Sequence, residues 1–159
     1  MKRITIDGKE YTFEFTIEAT LYDECTIKAM ESFVDAGAAQ ADATENDVKG
    51  ALMRMIESMA GVPQRALTFF YAGLLEHHGS NGDGSVPSKN AAKSLVVKYM
   101  KESEKNWYDV LQEMTELMVE DSFFDQIGLN NMMEKMQTAT EKEEKKPRKR
   151  TTAKSSTTD

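Results

Sequence analysis

At 159 residues the chain has room for one domain with a tail, and 40% hydrophobic against 30% charged residues is enough apolar material for a core, which excludes global disorder. Seven Lys/Arg against four Asp/Glu from Thr140 onward leave that segment at +3, so the overall charge of −7 puts −10 on the residues before it. An acidic body of this kind repels nucleic acid and anionic membranes.

The N-terminus reads as a β-hairpin over residues 2–15. Ile4 and Ile6 alternate with polar residues, as do Tyr11, Phe13 and Phe15. Asp7-Gly8 between the runs is a strong turn signal, because a tight hairpin needs positive φ at both turn residues. This alternation is not the continuous apolar run of a signal peptide. A lone hairpin is marginal in water, so it must pack on something helical.

From Ile17 the period changes to that of a helix. Ile17, Leu21, Cys25, Ala29 and Phe33 predict one stripe, with Thr16 as its cap and Gly37 as its end. Ala36 to Thr44 reads as a small-residue linker. A second helix carries Val48, Leu52, Met55, Ile56 and Met59 on one face and stops at Gly61. Pro63 suits the first turn of a third helix. That helix is apolar on nearly every side through Leu75 and belongs at the centre of a bundle. Its longest apolar stretch, Ala66 to Leu75, falls short of the roughly 20 residues that span a bilayer.

A polar, Gly-rich loop covers His78 to Pro87. Ser88 then caps a fourth helix with Ala91, Leu95, Val96, Tyr99 and Met100. Trp107, Val110, Leu111, Met114, Leu117 and Met118 form the next amphipathic stripe. Phe123, Phe124, Ile127, Leu129, Met132, Met133 and Met136 extend the apolar material past a break at Gly128. The fold class is therefore α+β, mostly α: a hairpin on about five to six helices, with one globular domain over residues 1–138, its helical part spanning 17–138. The charged, then Thr/Ser-rich segment 139–159 is expected to be a disordered tail.

Sites of chemistry are sparse. Asn81-Gly82-Asp83-Gly84-Ser85 resembles the middle of an EF-hand loop, but the anchoring positions fall on Gly79 and Asn90 rather than carboxylates, which favours a plain turn. His77 and His78 are adjacent and point apart on a helix, with no CxxC or HExxH partner, so they read as a polar helix end. Cys25 is a lone cysteine and forms no intramolecular disulfide. No nucleophile elbow, P-loop or dinucleotide glycine pattern occurs. The run Lys145-Lys146-Pro147-Arg148-Lys149-Arg150 follows acidic residues and has no interleaved aromatic to stack on bases. The expectation is a protein without catalytic residues, cofactor or metal, with neither nucleic acid nor membrane as partner.

Methionine is the unusual feature: five of the 11 lie between Met114 and Met136. Unbranched Met side chains fill core gaps, and they also suit adaptable binding surfaces. Met114, Met118, Phe123, Phe124, Met132, Met133 and Met136 are the candidate protein-binding residues, for a client or for self-association into a homo-oligomer.

The opening stretch Met1 to Phe15 resembles the N-terminal hairpin of the tail assembly chaperones of long-tailed (siphovirus-type) bacteriophages. Phe70-Tyr71-Ala72-Gly73-Leu74-Leu75-Glu76-His77-His78 is similar to their central helix. The resemblance covers residues 1 to about 136. It implies a non-catalytic chaperone that binds the tape measure protein and keeps it soluble until tail tube protein polymerises around it. It also implies action in the cytoplasm of the infected bacterial host and absence from the finished particle. Many such chaperones have a longer form, made by frameshifting, that reaches the tail tube protein. This chain would be the short product, and Lys145-Lys146 is compatible with an A-rich slippery site. The rival classes are a structural or adaptor protein of a phage particle and a small nucleic-acid-associated regulator.

Overall fold

The computed structural model describes residues 1–41 and 48–135. The architecture is the expected one, mostly helical with a two-stranded antiparallel hairpin at the N-terminus. Strands β1 (Lys2–Ile6) and β2 (Lys9–Phe13) pair with Lys2 opposite Phe13 and Ile6 opposite Lys9. Asp7 and Gly8 have φ of 53° and 73°, the two-residue turn that their identities demanded. The turn is held from outside, since the Asp7 N–H donates to the Glu102 carboxylate at 3.0 Å and Lys98 pairs with the Asp7 carboxylate. One face of the hairpin puts Ile4, Ile6 and Phe13 in the core, and Phe15 follows them.

The helices are α1 (Ile17–Leu21), α2 (Asp23–Ala41), α3 (Val48–Ala60), α4 (Val62–His78), α5 (Lys89–Glu102), α6 (Trp107–Glu120), α7 (Phe123–Gln126) and a further turn, α8, over 129–135. There are thus eight helical segments among the described residues, against the five to six expected. The break at Gly128, where φ is +75°, is the expected one. The first expected helix also breaks, at Tyr22, whose backbone is extended (ψ 92°). The Tyr22 ring stands edge-on to Tyr71 at 5.5 Å and its hydroxyl donates to Glu24 at 2.6 Å. This break corrects the single stripe from Ile17 to Phe33. Cys25 and Ala29 face the core, but upstream of the break the phase differs, so Ala19 is buried while Ile17 and Leu21 are exposed. Gly37 does not end α2, which runs on to Ala41. The alanines around it, strong helix formers, offset the roughly 1 kcal/mol that a glycine costs.

Helix α4 is the axis. Pro63 lies in its first turn, as expected, and α1, α2, α5, α6 and β2 all pack on it. Ala66, Leu67, Phe69, Phe70, Ala72 and Leu74 are buried, which requires cover on every side. Ser88 caps α5 by accepting the Ala91 N–H, and Asn106 with Asp109 forms a reciprocal capping box at the start of α6. Glu113 is the charged residue inside this packing. Its carboxylate accepts from Lys2 at 2.5 Å, Lys105 at 2.6 Å and the Tyr99 hydroxyl at 2.6 Å, and so ties β1 and α5 to α6. Burial pushes the Glu113 pKa up, but the bonds from Lys105, Lys2 and Tyr99 outweigh it and hold the carboxyl below its ordinary value. The segment 139–159 lies outside the described residues.

Two outcomes follow. At Gly8 a Cβ would meet nothing within 4 Å, so Gly8→Val costs only the strain of a β-branched residue at φ +73°, about 1–2 kcal/mol; thermal unfolding should show a midpoint a few degrees lower. Glu113 stabilises the fold above its unfolded pKa near 4.5 and loses that contribution as pH falls through the lower folded value. Denaturant midpoints measured downward from neutral pH should therefore drop through that range in the wild type, and drop less steeply in Glu113→Gln, which starts less stable.

Candidate protein-binding surface

The seven residues singled out by the methionine excess do not form one surface. Met114, Met118 and Phe123 are fully buried. Phe124 is partly buried against the same core, and Met133 is half-buried. Only Met132 is exposed, at 40%, and Met136 lies outside the described residues. The correction has a simple cause. α6 and α7 cover α4, Phe15 and Tyr99, so the apolar material beyond one stripe fills the gap between hairpin and bundle. Phe123 stands edge-on to Phe15 at 5.7 Å. The outer side of α6 carries instead a shallow open depression of about 290 Å3 between Tyr108, Leu111, Thr115 and Val119.

Among the described residues an exposed apolar row lies on α3, apart from the single exposed positions Ile17, Leu21 and Ile27 and the Tyr108–Val119 side of α6. Leu52, Met53, Ile56 and Met59 are 50–58% exposed. Three of them, Leu52, Ile56 and Met59, recur at helical spacing on one face. α3 is anchored at its C-terminal end, where the Arg65 guanidinium donates to the Ser58 carbonyl at 2.9 Å and to the Ser32 hydroxyl at 3.3 Å. Together Leu52, Ile56 and Met59 make an apolar patch on the order of a few hundred Å2, the size of the largest patch on an ordinary monomer, which is often functional. The signal for this row was already in the sequence, as the stripe Val48-Leu52-Met55-Ile56-Met59. What periodicity could not supply is that nothing among the described residues covers it.

The histidines are structural. The free edge of β2 presents two amides to α4: the Thr12 N–H donates to His78 Nε2 at 2.9 Å and the Glu14 N–H to the Gly73 carbonyl at 2.8 Å. Because Nε2 accepts, the His78 ring hydrogen sits on Nδ1, which donates to Asp83 at 3.0 Å. His77 pairs with Glu14 at 2.8 Å. A Cβ on Gly73 would stand 3.2 Å from the Phe13 ring and 3.4 Å from Phe15, so a larger residue there would push the Phe13 ring back by a few tenths of an ångström. Residues 11–15 of the hairpin segment and the C-terminal half of α4 are thus one packed unit.

Comparison with protein-family models, curated proteins and solved structures returns no match.

The Gly-rich loop spends its acceptors internally. Asp83 accepts the Ser85 N–H at 2.8 Å, and its bonds from Ser85, with His78 behind them, hold its carboxyl well below the usual range. Asn81 donates to Glu18 at 3.5 Å. Burial, helped by Glu24, pushes the Cys25 thiol up to about 12, so it stays protonated at neutral pH. Among the described residues no three His, Cys, Asp or Glu side chains are grouped to hold a metal ion, and no helix is long and apolar enough to cross a membrane.

The division between core and surface methionines is measurable. Met114→Ala should cost about 2–5 kcal/mol by denaturant unfolding, as a cavity does. Met132→Gln, on the surface, should change stability by less than about 0.5 kcal/mol.

Proposed function

We propose that the chain is a non-catalytic tail assembly chaperone that binds the tape measure protein and keeps it dissolved while the tail tube assembles. The observation that carries this reading is the uncovered row Leu52, Met53, Ile56 and Met59 on a body whose charge before Thr140 is −10. A holdase needs an apolar surface that re-packs against varied client segments, and a net charge that keeps the complex in solution. Exposed methionines beside branched residues meet the first need and the acidic body the second. The resemblance of residues 1–15 and 70–78 to the hairpin and central helix of such chaperones adds the identity of the client. In this reading the protein works in the cytoplasm of the infected host, reaches the tail tube protein through a longer form, and leaves the finished particle.

The test is co-expression of the full chain with the tape measure protein of the same phage. The wild type should hold that protein in the soluble fraction, and the Ile56→Gln, Met59→Gln double variant should stay folded yet let it precipitate. A client that is soluble without the chain would remove the reading. So would finding the chain in purified particles by mass spectrometry, which would make it a structural component.

A further inference from the structure

His78 closes α4, is 7% exposed, and has a partner on each ring nitrogen. The Thr12 N–H reaches Nε2 at 2.9 Å, while Nδ1 faces the Asp83 carboxylate at 3.0 Å and the Ser85 hydroxyl at 3.2 Å. A backbone amide hydrogen is fixed by the peptide plane and cannot turn aside. Nε2 must therefore accept, which only an unprotonated nitrogen can do. A charged imidazole donates from both nitrogens and has no acceptor left. An added proton and the Thr12 bond thus compete for one lone pair.

The groups around the ring decide what yields when that proton arrives. From β2 come the Thr12 amide and the Tyr11 ring, which meets the imidazole in a T-shape at 5.1 Å and carries Lys9 over its own face. From the loop after α4 come Asp83 and Ser85. From α4 itself comes His77, with 6.4 Å between ring centres, which is paired with Glu14 at 2.8 Å. Lys9 and a charged His77 oppose charge on His78, and Asp83, in direct contact, favours it. Ser85 and His78 hold the Asp83 carboxyl well below its usual range, so it is ionised wherever an ordinary histidine titrates, about pH 5–8. A charged His78 therefore keeps Asp83, now as an ion pair, and loses Thr12. Thr12 is half-buried, so water can take up the released amide. At His77 the sign reverses, because a proton there strengthens the contact with Glu14. The Glu14 N–H is bound to the Gly73 carbonyl, an acceptor that does not titrate.

We propose that His78 is an acid-sensitive latch on the edge of β2: protonation at Nε2 releases the Thr12 amide, while Asp83 holds the ring on the loop and Glu14 stays fastened to α4. The strand edge then opens on the Asp7-Gly8 side of Glu14 and remains closed beyond it. The latch involves neither α3 nor a client, so it stands or falls apart from the holdase reading.

The experiment is heteronuclear NMR on the full chain between pH 8 and pH 5. At pH 8 the His78 ring nitrogens should show the proton on Nδ1 and none on Nε2. The protection of the Thr12 amide against hydrogen exchange, corrected for the intrinsic rate at each pH, should fall at least about fivefold as the ring takes its second proton, the worth of one hydrogen bond. The Glu14 amide should change by less than about twofold, since its bond is kept. His78→Gln offers a side-chain carbonyl that does not titrate, and should flatten the Thr12 profile; His77→Gln should leave it as in the wild type. If His78→Gln fails to fold, the wild type still decides, because ring protonation and loss of Thr12 protection must share one midpoint. A proton on Nε2 at pH 8, a Thr12 profile that does not follow the ring, or equal loss at Thr12 and Glu14 would each overturn the latch.

Discussion

A helix without a polar side has to be enclosed, and α4 is such a helix. Nearly every element of the chain can be placed by asking which flank of α4 it covers. α6 and α5 close one side, α1 and α2 another, and the hairpin lies along the C-terminal half. The hairpin fits because Gly73 lets Phe13 and Phe15 come close enough for the Glu14 amide to reach a helix carbonyl that Gly73 itself supplies. A helical carbonyl is ordinarily committed to its own ladder, so the strand edge takes a shared acceptor and completes the seal with His78. An edge strand left open is a template for aggregation. Here the edge amides of Thr12 and Glu14 are spent on α4, and the adjoining Phe15 N–H donates to Asp121 at 2.9 Å.

Enclosing α4 brings charged groups inward, and the chain resolves this by pairing. Glu113 is satisfied by Lys2, Lys105 and Tyr99. On the opposite flank Thr68, buried in α4, donates to Glu24 at 3.0 Å, while Lys89 donates to Thr68 at 2.9 Å and pairs with Glu24. Removing a partner of the buried Glu113 leaves its charge less compensated, which costs more than the pair contributes, whereas the Lys89–Glu24 pair is partly exposed and is worth less. The two sets tie β1, α5 and α6 together on one hand and α2, α4 and α5 on the other.

Local signals in the sequence read well because each has a local cause. Asp7-Gly8 takes the positive φ values it suits, Pro63 takes a helix start, and Thr16 and Ser88 cap. The break at Tyr22 was not legible, because it depends on the ring of Tyr71, 49 positions away, and on a carboxylate of the next helix. The methionines failed for a related reason. An apolar stripe states that a helix face wants cover and is silent on what covers it. The stripe of α6 and the stripe of α3 look alike in sequence, with comparable spacing and composition. The first is sealed by α4 within the chain, while the second meets solvent. Counting apolar residues does not reveal that the hairpin, whose inner face carries Ile4, Ile6 and Phe13 with Phe15 following, takes up part of what α6 and α7 offer.

This asymmetry bears on how a small protein can keep an apolar surface without aggregating. Exposed Leu, Ile and Met on α3 attract any apolar surface, other copies included, at roughly 25 cal/mol per Å2 covered. A self-contact through the patch gains an amount of the same order as the cost of bringing two bodies together. The charge of −10 carried before Thr140 therefore weighs on whether copies meet, and weighs less as salt shortens the screening length.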